Sequence, residues 1–230
     1  MKDAGYDERA SYYHQILQNN GIDFGILLDL GCGTGSISVR MADFGYDVIG
    51  VDASVGMLNC ARDKTAGRNI LLLNQPMEEL DLYGTVNCAV SALDCINHLD
   101  GIRNVKTAFE KVSLFTEPGG IFIFDVNTLY KHRNILADRD FIIEDDGLLC
   151  CWRNTPGPGD SINITLDFFE EEDGVWYRES EEFTERAYDT DTLAAALEES
   201  GFEVIGIYDD MTFDRVKEDS ARAVFAARKR

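Results

Sequence analysis

The stretch Ile26-Leu27-Leu28-Asp29-Leu30-Gly31-Cys32-Gly33-Thr34-Gly35 decides the fold. An apolar run passes without a linker into three alternating glycines, and Ile37, Met41 and Phe44 then recur at helical spacing over 34–44, with Gly45 placed to end the helix. Strand, tight turn and helix in that order build a nucleotide cradle. Glycines let the backbone approach a ligand closely, and the first helical turn presents unpaired N–H groups to it.

The matching acid stands at the end of the next apolar run, Tyr46-Asp47-Val48-Ile49-Gly50-Val51-Asp52. A carboxylate at a strand tip accepts both hydroxyls of a ribose, so Asp52 points to an adenosine ligand. A dinucleotide fingerprint needs a further glycine where this chain has Ser36. The spacing therefore favours S-adenosylmethionine over a pyrophosphate cofactor.

Working outward, apolar patterning predicts a helix over 54–66, strands over 69–74 and 85–91, a helix over 101–115 and a strand over 120–126 that is apolar almost throughout, as burial on both faces demands. After the run from Phe141 to Arg186, a helix over 190–200, a strand over 202–208 and a last strand near 221–228 return to the same alternation. A doubly wound parallel sheet follows. Within 141–186 the period changes to two, clearest where Ile162, Ile164, Leu166 and Phe168 alternate with polar residues. That pattern predicts an antiparallel insert, with hairpin turns at Asp145-Asp146-Gly147 and Glu171-Glu172-Asp173-Gly174 and a looser loop at Pro156-Gly157-Pro158-Gly159.

Composition narrows the partners. The 230 residues carry 42 acidic and 21 basic side chains, a net charge of −21, whose field repels phosphate backbones and anionic lipid. Nucleic acid and membrane are expected to be excluded, leaving a small-molecule acceptor, with a homodimer left open. Six cysteines without a CxxC pair read as reduced thiols, and the expected compartment is the cytoplasm.

The Leu-Asp-Leu-Gly-Cys-Gly-Thr-Gly run at 28–35, Asp52, the Glu117-Pro118-Gly119-Gly120 turn before a buried strand and the two closing strands together resemble the class I S-adenosylmethionine-dependent methyltransferases along nearly the whole chain. The β insert resembles the lid of the small-molecule members, including amino-sugar and glycine N-methyltransferases. This resemblance implies an α/β fold with a doubly wound, mostly parallel, seven-stranded Rossmann-like sheet. Residues 1–140 and 187–230 would then form the cofactor-binding domain, and 141–186 part of the substrate chamber. It implies S-adenosylmethionine as methyl donor, S-adenosylhomocysteine as product, and a nitrogen or oxygen of a small molecule as acceptor. The alternatives are a non-catalytic S-adenosylmethionine-binding module and a nicotinamide-dependent oxidoreductase.

Carried onto this chain, the resemblance sets Asp29, Gly31, Cys32, Gly33 and Gly35 along the cofactor's methionine end, Asp52 on its ribose, and Ala53, Ser54 and Met57 beside the adenosine. Gln75, Pro76 and Met77 follow the third strand, where relatives often carry an acid. This chain lacks the acid, and Gln75 would meet the adenine amino group through its carbonyl, while Met77 alternatively fills core. Ser91 ends the fourth strand on the cofactor side. Beyond it, Asp94, Asn97 and His98 are candidates to orient or deprotonate an acceptor, His98 having an ordinary pKa of about 6.5; each alternatively caps a helix or bonds a loop. Tyr6 would lie against the sulfonium, with Tyr12 and Tyr13 as packing residues, and Trp152, Arg153, Trp176 and Tyr177 would contact the acceptor from the insert. No metal site is expected, the acidic run 170–173 reading as a solvated hairpin tip.

Overall fold

A computed structural model describes residues 5–145 and 147–230. Seven strands form the main sheet: β1 (Gly25–Leu30), β2 (Tyr46–Asp52), β3 (Ile70–Asn74), β4 (Val86–Ser91), β5 (Thr116–Asn127), β10 (Phe202–Asp209) and β11 (Arg222–Lys229). Their order is β10-β11-β5-β4-β1-β2-β3, parallel from β3 to β5, with β11 antiparallel to both of its neighbours. The fold class expected from the sequence is the one observed.

Side-chain alternation along the buried strands divides the core into two layers. Leu27, Val48, Val90, Ile121 and Ile123 face α1 (Tyr6–Asn19) and α2 (Ser36–Asp43), which contribute Tyr13, Ile16, Leu17, Ile37 and Met41. Their strand neighbours Leu28, Phe122, Phe124 and Phe225 face α4 (Ile102–Phe115) and α5 (Thr190–Glu199) through Val105, Phe109, Val112, Leu193 and Leu197. Helix α3 (Val55–Thr65) links β2 to β3, its first turn capped by Ser54 Oγ, which accepts from Met57 N at 3.3 Å.

The period-two segment forms a separate antiparallel sheet in the order β6-β7-β8-β9, from β6 (Asp140–Asp145) through β7 (Leu148–Pro156) and β8 (Ser161–Glu172) to β9 (Val175–Arg186). In the β8–β9 hairpin Glu172 pairs with Val175, and Asp173 and Gly174 both take positive φ (51° and 78°), the mirror-image turn that an Asp-Gly pair favours. In the β6–β7 hairpin Asp145 pairs with Leu148, while Asp146 lies outside the described residues. One boundary moves: Thr116 pairs with Val86 before the register shifts to Cys88–Ile121, so the Glu117–Gly120 turn is taken into β5 as an irregularity.

Candidate active site

The β1–α2 loop is held from behind. Gly31 N and Cys32 N both donate to Val51 O, at 2.8 and 3.0 Å, tying the loop to the end of β2. Gly31, Gly33 and Gly35 all adopt positive φ, which side chains rarely tolerate. A Cβ on Gly31 would lie 2.6 Å from Cys95 Sγ and 2.8 Å from Met77 Cε, whereas one on Gly33 would meet nothing within 4 Å. Gly31 is thus enclosed by protein, and Gly33 borders open space.

Asp52 closes the cradle. Its Oδ2 accepts from Gly33 N and its Oδ1 from Ser54 N, both at 2.8 Å, and each oxygen keeps a second lone pair for a ribose hydroxyl. Asp29 supports the loop from inside: it is buried, accepts from Ser38 Oγ, and burial pushes its carboxyl up to about 6. Cys32 is buried beside it, and burial raises its thiol. Gln75 is engaged within the chain, Nε2 donating to Asp81 O at 3.1 Å and Oε1 accepting from Asp81 N at 2.9 Å. The carbonyl offered to an adenine amino group therefore already has a partner. Ser91 is fully buried and donates to Leu30 O at 2.7 Å, which makes it a brace between β1 and β4 rather than a ligand-facing hydroxyl.

The turn after β4 is strained and pinned. Leu93 and Asp94 both have positive φ, 61° and 57°, and their N–H groups donate to the two oxygens of Asp125, at 2.8 and 2.9 Å. Asp125 sits fully enclosed on β5 and also meets Arg9, Arg222 and the Tyr13 hydroxyl. Burial would raise its carboxyl, but the Arg222 and Arg9 guanidiniums outweigh that and hold it at about 2. Sequence reading missed Asp125. The available signal was a lone acid closing the apolar run Ile121-Phe122-Ile123-Phe124 at a strand's C-terminal end, where ligands gather in such sheets.

Three elements meet beyond that turn. Asp94, whose Oδ1 accepts from Arg222 Nη2 at 2.6 Å, and the exposed His98 come from the β4 side. Glu185 comes from β9, and one ligand atom from each of Asp94, His98 and Glu185 lies within 4.8 Å of the others. Lys131 comes from the π-helical segment Lys131–Leu136 after β5, donating to Asn127 Oδ1 at 2.8 Å. Burial, joined by the Arg222 charge, lowers the Lys131 pKa despite Asp94 and Glu185 nearby. Glu185 was not legible as a site residue because only the second sheet's docking brings it to β4, nor was Lys131, which the helical segment after β5 positions.

Several of the expected contact residues have partners within the chain. Asn97 is 0% exposed with its amide fully engaged: Nδ2 donates to Asn127 O (3.1 Å) and Arg186 O (2.9 Å), and Oδ1 accepts from Asn127 N (2.9 Å). It is a structural latch, without a polar atom left for an acceptor. Arg153 stands on the face of the second sheet opposite Trp152 and binds Asp167 at 3.1 Å. Tyr177 is 55% exposed near the hairpin tip, eight residues from Glu185 along the strand, roughly 26 Å at strand rise; Trp176 is its exposed neighbour. Trp152 packs with Phe141, ring centroids 5.3 Å apart, in the apolar layer that includes Leu166 and Phe183. The Tyr6 ring carries the Arg40 guanidinium 5.4 Å from its centroid. Tyr12 and Tyr13 are buried packing residues whose hydroxyls reach Thr212 O and Asp125. Ala53 and Pro76 follow the ends of β2 and β3, Met57 lies in the first turn of α3, and no helix among the described residues is long and apolar enough to cross a membrane.

Comparison with known proteins matches this geometry to a family. Residues 27–120 match a methyltransferase domain. A Geobacillus sp. (strain WCH70) protein named as a methyltransferase is 31% identical over 100% of this chain and 95% of its own length. The crystal structure of an S-adenosylmethionine-dependent methyltransferase from Clostridium acetobutylicum ATCC 824 superposes with a TM-score of 0.93 at 25% identity, covering 99% of this chain and 93% of that one. CalS10, an amino pentose methyltransferase from Micromonospora echinaspora solved with S-adenosylmethionine bound, shares the fold at a TM-score of 0.82 and 18% identity over 100% of this chain and 93% of its own. These matches leave no place for the nicotinamide alternative: the chain belongs to the class I S-adenosylmethionine-dependent methyltransferases.

Proposed function

We propose that this enzyme methylates a nitrogen or oxygen of a small molecule held between the β4 turn and the second sheet, which serves as a lid. The observation that carries the reading is the convergence of Asp94, His98, Lys131 and Glu185 from three separate elements beside the carboxyl end of β4. Support for a small acceptor comes from CalS10, named as an amino pentose methyltransferase, whose fold extends over this whole chain.

S-adenosylmethionine, when bound, supplies a methyl group on a sulfonium, a leaving group that needs no further activation. The open side of Gly33 and the accessible Asp52 carboxylate suit it, with Gly31 and Gly35 shaping the loop and Ala53, Met57, Pro76 and Met77 flanking the adenosine. The chain's own task is to align the acceptor and keep out water. Lys131, whose neutral form burial favours, is placed to take the proton that the acceptor releases, and His98 is exposed where an acceptor enters.

The test is release of S-adenosylhomocysteine with a panel of small amines and hydroxy compounds, for the native protein and for Lys131→Met. Turnover should occur with a member of the panel and fall by about 10²-fold or more in the variant. Cofactor binding without turnover on any small acceptor would overturn the reading.

A further inference from the structure

Glu185 and His132 form a buried pair in the joint between the two sheets. The Glu185 side chain is 7% exposed, and among the described residues no Lys or Arg lies within 4.0 Å of it. Its Oε2 accepts from Asn127 Nδ2 at 3.0 Å and faces His132 Nε2 at 3.6 Å. His132 is 1% exposed, and its Nδ1 lies 3.1 Å from Asp160 O, an acceptor, so Nδ1 carries the proton. In the neutral ring Nε2 is then a lone pair aimed at a carboxylate, and it has no hydrogen-bond partner. Either a proton on Nε2 or a cation beside the pair relieves this contact.

On its other side Glu185 reaches Asp94 and His98, with one ligand atom of each of the three within 4.8 Å of the others. Among the described residues, neither His98 nitrogen holds a hydrogen bond, and Asp94 has only Oδ1 engaged, by Arg222. Three ligand atoms this close, one imidazole and two carboxylates, suit a first-row divalent ion, and the exposure of His98 keeps the remaining coordination positions open to water or an acceptor oxygen.

We propose that Asp94, His98 and Glu185 bind a divalent cation of the Mn²⁺ type. The cation's service to an acceptor oxygen rests on the cleft being the acceptor site; cation binding itself does not. The ion would place positive charge where a hydroxyl or carboxylate of the acceptor must dock, selecting acceptors that carry such an oxygen.

The experiment titrates Mn²⁺ alone into the chelator-treated full chain, read by the electron-spin-resonance signal of free Mn²⁺; Mn²⁺ is the probe because the six cysteines would draw softer metals. A single equivalent should bind, and His98→Ala and Glu185→Gln should each weaken binding by about 100-fold. Because His98 is exposed, His98→Ala retains the fold and decides the matter if Glu185→Gln does not fold. Absence of binding at millimolar Mn²⁺, or binding unchanged in His98→Ala, overturns the proposal. Calorimetry with S-adenosylhomocysteine on the metal-free chain separates the two readings. Nucleoside binding without Mn²⁺ binding overturns the cation site and leaves methyl transfer standing. Mn²⁺ binding without nucleoside binding leaves the cation site standing and overturns the acceptor cleft.

Discussion

Asp29 and Asp125 show how far neighbours decide what burial does to a carboxylate. Both are enclosed on strands of the same sheet, and burial is the largest influence on each. Asp29 has one hydroxyl, Ser38, and the Asp52 charge nearby, so it rises to about 6. Asp125 faces two guanidiniums, a phenol and two backbone N–H groups, and stays at about 2. An ion pair in contact is worth about 4 kcal/mol at an effective dielectric of 20, enough for two of them to reverse the sign. The consequences for stability are opposite. Asp125 contributes stability that is present above its ordinary value of 3.8 and lost as pH falls towards 2. Asp29, with its folded value raised, binds more protons folded than unfolded, so stability declines as pH rises from 3.8 to about 6. Asp29→Asn, which keeps an oxygen for Ser38, should therefore raise unfolding free energy at about pH 7 by up to roughly 3 kcal/mol and change it little at about pH 4. Urea titrations at the two pH values check this, and an equal gain at both would show that the carboxyl does not titrate as described.

Among the elements, the β1–α2 loop separates two uses of glycine. Gly31 needs its positive φ and also the room occupied by Cys95 and Met77; Gly33 needs only the φ, its Cβ direction being open. Gly33→Ala should fold with a loss of about 1–2 kcal/mol from the left-handed backbone yet bind S-adenosylhomocysteine much more weakly, since the methyl enters the cradle. Gly31→Ala should lose more stability through the added clash. Thermal melts with and without S-adenosylhomocysteine distinguish them, and equal nucleoside affinity for Gly33→Ala and the native chain would sink this account. The loop was legible because its signal is local, as were α4, with Val105, Phe109 and Val112 on one face, and β8, with Ile162 and Ile164 alternating inward. The side-chain cluster beyond β4 was not, for a physical reason. Asp125 gains its meaning from Arg9, 116 positions away, and from Arg222, 97 away, and no periodicity encodes such pairings. The same holds for Asn97, whose partners Asn127 and Arg186 turn a candidate acceptor contact into a latch.

At the scale of the molecule, a seam of hydrogen bonds joins the second sheet to the main one beside the His98–Phe183 ring contact, and Asn97 is at its centre. Its amide bonds the backbone of Asn127 at the end of β5 and of Arg186 at the end of β9, and Asn127 in turn reaches Glu185 at 3.0 Å. Tyr188 continues the seam, its hydroxyl accepting from Gly101 N at 3.0 Å and donating to Leu99 O. A seam of directional bonds fixes angle and register more sharply than apolar packing of equal area, and it sets the distance between Glu185 and the β4 turn. Asn97→Ala would leave one N–H and two carbonyls without partners in a buried setting, each worth about 1–3 kcal/mol. We expect a total loss of about 3 kcal/mol or more, together with faster hydrogen exchange confined to 95–101 and 183–188 and an undisturbed cradle that still binds S-adenosylhomocysteine. Turnover should fall while nucleoside affinity holds, because the groups from β9 lose their position relative to β4 but Gly33 and Asp52 do not. If exchange instead rises evenly across the main sheet, Asn97 supports the whole core rather than the joint, and the second sheet is positioned by other contacts.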